Sequence, residues 1–127
     1  MAFVVKSTDV RVEPNARFEL PVMILAIYLA LAGFRVMPIG VSVPVEALAR
    51  AVRDSGTRMV CVSLTLPRNV VEVAAFEAKL LSYLPEDCTV AFGGSGVPPG
   101  YPTSKRLQVP GSVDKLIALG RSLGLNA

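Results

Sequence analysis

Two places in the chain carry residues suited to chemistry, and both lie where an apolar run breaks off. Ser63 and Thr65 sit at the end of Met59-Val60-Cys61-Val62-Ser63-Leu64, and Gly93-Gly94-Ser95-Gly96 follows Thr89-Val90-Ala91-Phe92. Short or missing side chains at such points let a ligand approach the backbone, which is binding chemistry rather than catalysis. Catalytic sets are hard to assemble here. The sequence has no histidine, which excludes Ser-His-Asp hydrolysis, imidazole acid–base work and imidazole-bound metal. Its two cysteines, Cys61 and Cys88, lie in or beside apolar runs. They read as free, buried thiols of a reducing compartment, and two alone cannot build a structural zinc site. Asp9, Glu13, Arg17 and Glu19 form a charged group, but one that reads as a solvated loop. No acid–base pair or activated nucleophile emerges, so no independent catalytic activity is expected.

The elements that would position these residues alternate between strand and helix. Phe3–Lys6 is a short β-rich run, followed to Glu19 by a stretch without helical periodicity. Pro21 suits a first helical turn, and the helix expected over 22–32 is closed by Gly33. Arg35–Ile39 is the second strand. Pro38 within it lacks a donor and predicts an edge position, and Gly40 is expected to end it. Pro44 is expected at the first position of a helix reaching Asp54, with Ala47, Leu48, Ala51 and Val52 inward and Gly56 as its stop. Met59–Leu64 is apolar enough for a central parallel strand buried on both faces. Asn69 with Glu72 predicts a helix cap, then Val73, Phe76, Leu80 and Leu84 share a face until Pro85. After the fourth strand, Thr89–Phe92, a Pro/Gly-rich loop over 97–104 leads to a weak fifth strand around Leu107–Val109. A last helix is capped by Ser112, with Val113, Leu116, Ile117 and Gly120 inward.

This pattern predicts one α/β domain, residues 1–127, with a doubly wound five-stranded parallel sheet in flavodoxin-like (Rossmann-like) order, a three-layer sandwich. Ligands of such sheets bind beyond the carboxyl ends of the strands. The loops to inspect are therefore 7–20, 40–44, 65–69 and 93–100. A phosphate-cradling loop would need glycines opening the first helix, and Asn15-Ala16-Arg17-Phe18 has none. A receiver domain would need an aspartate ending strand three, where Ser63-Leu64-Thr65 stands instead.

Composition narrows the partners. Hydrophobic residues make up 52% of the 127 and charged residues only 18%, so part of the apolar surface is expected to be covered by another chain. The net charge of +3 is spread without a basic cluster, against nucleic-acid binding by this domain. The 15 uncharged residues from Leu20 to Phe34 fall short of the ~20 that span a bilayer. The N-terminus has no basic region before a long apolar run. The reading is a cytoplasmic domain without a membrane segment. Met23, Ile24, Leu25, Ile27, Tyr28, Leu29 and Leu31 wrap the whole circumference of the first helix. A homodimer, or a partner protein covering helix 22–32, is expected.

Four segments together resemble the cobalamin-binding domains, especially those of light-responsive transcriptional regulators and corrinoid methyltransferase subunits. Gly40-Val41-Ser42-Val43-Pro44-Val45-Glu46-Ala47-Leu48 is similar to their loop and helix start after strand two. Val62-Ser63-Leu64-Thr65-Leu66-Pro67-Arg68-Asn69 resembles their serine motif, and Gly93-Gly94 the glycine pair ending strand four. Gly33-Phe34-Arg35-Val36 matches the turn after their first helix. The resemblance covers about residues 1–125. It implies a slot that takes the extended nucleotide tail of the cofactor, and Phe18, Gly40, Ser63, Thr65, Gly93 and Gly94 as cofactor-binding positions. It also implies that a large side chain at Gly94 would close the slot with the fold nearly intact.

The family's Asp-x-His-x-x-Gly motif is degenerate here. Counted back from Gly33, its positions fall on Ala16, Phe18 and Pro21, so the cobalt ligand, its carboxylate and the helix-opening glycine are all replaced. Two readings follow. One is a corrinoid-binding or sensing domain, regulatory in kind, that holds cobalamin without a protein histidine. The other is a degenerate scaffold that binds no cofactor and acts through protein contacts.

Overall fold

The computed structural model describes residues 2–7, 25–41, 44–64 and 69–124, with side-chain surroundings for 25–36, 44–64 and 69–124. Strands β1 (Ala2–Ser7), β2 (Val36–Val41), β3 (Met59–Leu64), β4 (Thr89–Gly93) and β5 (Leu107–Gln108) form one sheet in the order β2-β1-β3-β4-β5. Every neighbouring pair is parallel. The helices are α1 (helical over 25–31), α2 (Val45–Ser55), α3 (Val70–Tyr83) and α4 (Val113–Ser122).

The sheet is covered on both faces, and β3 shows how. Successive side chains of a strand point to opposite faces. Val60, Val62 and Leu64 join the core built with Leu48, Ala49 and Val52 of α2 and with Val73 and Leu80 of α3. Met59 and Cys61 join the other core, with Ala26 and Leu29 of α1, Phe34, and Leu116 of α4. This is why Met59–Leu64 reads as an almost unbroken apolar run. Phe92, Leu29, Met59 and Leu64 are among the largest side chains removed from water, each contributing on the order of 1.5–3 kcal/mol.

Among the described strands β2 lies at the sheet edge and pairs with β1 alone, so Pro38 sits in an edge strand. Gly40 does not end this strand. The strand continues to Val41, and Gly40 is the extra residue where the register shifts between Ile39 opposite Val5 and Val41 opposite Lys6. Pro44 is not the first helical residue either. It occupies the N-cap with ψ 143°, an extended conformation, and Val45 opens the helix. The buried stripe of α2 is accordingly Leu48, Ala49 and Val52, with Ala47 exposed. Hydrophobicity alone cannot phase a helix in which three alanines compete for the inner face. Gly56 closes α2 in the left-handed conformation.

Asn69 caps α3 as its sequence suggests: its side-chain oxygen accepts from the Glu72 amide at 2.8 Å, and its Nδ2 donates to Glu72 Oε1 at 2.9 Å. Val73, Leu80 and Leu84 are buried and Phe76 half-buried. Leu84 turns extended before Pro85, as a residue preceding proline must.

The connection from β4 to β5 contains no helix, although parallel strands usually need one as the crossover. Tyr101 takes its place. Its buried ring tilts against Phe92 at 6.4 Å, Phe92 stacks on Phe76 at 5.8 Å, and its hydroxyl donates to Glu77 Oε1 at 2.8 Å. Burial, the Glu77 hydrogen bond and the Glu77 charge together push the Tyr101 phenol up to about 12. Arg106 ties the far end, Nη2 donating to the carbonyls of Pro85 (2.9 Å), Leu84 (3.3 Å) and Leu81 (3.4 Å) at the C-terminus of α3.

Candidate functional site

A cleft of ≈ 220 Å³ opens at the carboxyl ends of β3 and β4, between α1 and the start of α4. Its floor is Cys61, Val62, Ser63, Ala91 and Phe92. Gly93 and Gly94 form one rim, Pro110, Gly111 and Ser112 another, and Leu25 of α1 and Leu116 of α4 close the sides. A second, more open hollow of ≈ 570 Å³ adjoins it through Gly93, Gly94, Pro110 and Gly111 and runs beneath Pro98, Pro99 and Tyr101. Among the described residues, neither hollow is lined by a charged side chain. The described lining offers packing surface and backbone polar atoms to a bound group.

The two adjacent glycines are small for different reasons. Gly94 has φ +95°, and a Cβ there would meet the Leu64 carbonyl oxygen and stand 3.1 Å from Ser63 Oγ. The turn is drawn over the end of β3 by the Gly96 amide, which donates to that same Leu64 carbonyl at 2.7 Å. Gly94 is therefore a requirement of the fold. Gly93 has no such constraint: a Cβ would meet nothing within 4 Å, and it borders both hollows. Its missing side chain leaves open space beside the cleft. The expectation that a leucine at Gly94 would leave the fold nearly intact is thus incorrect.

The cleft brings together Ser63, Gly93 and Gly94. Gly40 lies in the edge strand β2. Phe18 and Thr65, with Ala16 and Pro21, lie outside the described residues. Pro110, Gly111 and Ser112 were not legible as site residues, though the segment follows β5 and the rule of carboxyl ends points to it equally. Ser112 caps α4, its hydroxyl accepting from the Lys115 amide at 3.2 Å, and so aims a helix N-terminus at the rim.

Cys61 lines the cleft floor yet is only 3% exposed. Burial, with a smaller contribution from Cys88, pushes its thiol up to about 12. Cys88 rises to about 11 through burial and Asp87, with Arg106 opposing. Both are neutral thiols at neutral pH, and neither is an activated nucleophile. Among the described residues, no three His, Cys, Asp or Glu side chains gather as a metal site, and no helix is long and apolar enough to cross a membrane.

No protein-family model matches the sequence, and no curated protein matches it either. The fold does match solved structures. The monomethylamine corrinoid protein of Methanosarcina barkeri superposes with a TM-score of 0.65 at 12% identity, over 96% of this chain and 57% of that one. A cobalamin-binding protein from Desulfitobacterium hafniense DCB-2 superposes with a TM-score of 0.60 at 18% identity, over the same shares. This chain thus spans little more than half the length of either. It shares the fold of these two structures, a parallel α/β sheet.

Proposed function

We propose that this domain binds or senses a corrinoid, with the cofactor's nucleotide tail extended into the Ser63–Gly93–Gly94 cleft. The observation that carries the reading is Gly93, a glycine that neither backbone conformation nor packing requires, standing open on the cleft. The residues fit such a tail. The floor and rims are short side chains, the volume suits a single heterocyclic base rather than a whole macrocycle, and the N-terminus of α4 favours a phosphate near the mouth. Bound here, the corrinoid would supply a cobalt centre whose lower position no histidine of this chain can fill. The role of this chain is to hold the tail and exclude water from it.

The exposed side of α1 favours a second reading, a scaffold working through protein contacts. Ile27, Tyr28 and Leu31 are 57%, 52% and 80% exposed, while Ala26 and Leu29 face the sheet. In either reading another chain covers this face of the helix.

Equilibrium dialysis with hydroxo-, methyl- and adenosylcobalamin tests the proposal. Retention by the native chain, lost in Gly93→Leu with the fold unchanged by circular dichroism, is the expected result. No retention of any of the three at high-micromolar concentration gives the scaffold reading precedence.

A further inference from the structure

The outer surface of α3 differs from that of α2 in a way that the cleft does not explain. A helix turned to water should carry its charges on the outer face, and α2 does so with Glu46, Arg50, Arg53 and Asp54, all exposed. On α3, Val73 and Leu80 point into the core. The positions opposite them are Val71, Ala75, Ala78 and Ser82, all exposed, with Val71 at 77%. This face, without a partner among the described residues, has one charged flank. Glu72 and Lys79 lie on the same side of it, seven residues and about two turns apart, and are opposite in sign.

We propose that this face binds a second copy of the chain, two α3 helices packing antiparallel about a twofold axis near Ala75. Charge complementarity selects that occupant. A twofold axis perpendicular to antiparallel helices brings like flanks together, so Glu72 of each copy faces Lys79 of the other, twice. A parallel pairing would carry the two charged flanks to opposite sides of the seam and leave Glu72 and Lys79 without a partner charge. The small side chains at the centre allow close approach, and about the axis the four outer residues of one helix fall between those of the other. Glu72 spends Oε1 on Asn69 and keeps its second oxygen for the partner. Lys79 forms no ion pair among the described residues of its own chain, and Glu77, the remaining charge of α3, is engaged by Tyr101.

Sedimentation equilibrium of the full chain without cofactor tests this. The native chain should be dimeric, and Ala75→Glu monomeric with unchanged circular dichroism. Lys79→Glu should weaken the dimer roughly tenfold, since two exposed pairs become two repulsions, and Glu72→Lys/Lys79→Glu should restore it. Ala75→Cys should couple to its counterpart through a short bifunctional thiol reagent, the buried Cys61 and Cys88 giving little background. A native monomer at tens of micromolar overturns the proposal. So does a dimer that survives Ala75→Glu, or one lost in Leu31→Glu alone, which would place the interface on α1.

Discussion

The carbonyl oxygen of Leu64 occupies the space that a Cβ on Gly94 would need. With φ +95° as well, any side chain at 94 meets both strain and overlap with backbone. Gly94→Ala should lose about 2 kcal/mol or more in urea unfolding. Gly93→Ala, at an unstrained position with free space around it, should stay within about 0.5 kcal/mol of the native chain. Equal losses at the two positions would remove the distinction on which the site argument rests.

That distinction carries over to ligand binding. Retained cobalamin should show a base-off spectrum without imidazole coordination, because the proposed mode extends the tail and the chain has no histidine. Affinity should fall below that of cobalamin-binding domains that keep the Asp-x-His-x-x-Gly motif, the coordinate bond and its orienting carboxylate both being absent. Phe18→His alone should recover little, since Ala16 supplies no carboxylate. A base-on spectrum would contradict an extended tail.

Packing between α4 and the turn after α1 gives a third test. A Cβ on Gly120 would lie 2.8 Å from Cε1 and Cζ of the Phe34 ring, which is 5% exposed and enclosed by the core. Alanine at this helical site would gain about 1 kcal/mol in propensity, but overpacking of a filled core costs about 1–3 kcal/mol. Gly120→Ala should therefore lower the melting temperature, and Phe34→Leu in the same chain should recover part of the loss. A stabilised Gly120→Ala would show that the ring can move aside.

The thiols predict an alkaline limit to stability. Their folded values, about 12 for Cys61 and about 11 for Cys88, lie above the ordinary 9.0. The unfolded chain therefore loses these protons first as pH rises. Their contribution is fully present below pH 9 and is lost as pH climbs toward the folded values, by about 1.4 kcal/mol per unit for each thiol. Urea midpoints should drop between pH 9 and 11, and drop less in Cys61→Ala/Cys88→Ala. Alkylation of both thiols at pH 8 should be slow in the native chain.

Local signals had an immediate physical cause and were legible in the linear chain. Continuous apolarity marks Met59–Leu64 because a central strand is buried on both faces, Pro38 marks an edge because it lacks a donor, and Asn69 and Glu72 mark a cap because side chain and amide meet three residues apart. The alternation of strand and helix likewise dictated layers and parallel pairing. What only the tertiary structure decided depends on contacts remote in sequence. The inward phase of α2 is chosen by β3, not by its alanines. Tyr101 replaces a crossover helix by reaching Glu77 and Phe92. Gly93 and Gly94 are indistinguishable as letters, and the Leu64 carbonyl, thirty residues earlier in the chain, is what makes one a demand of the turn and leaves the other facing the cleft.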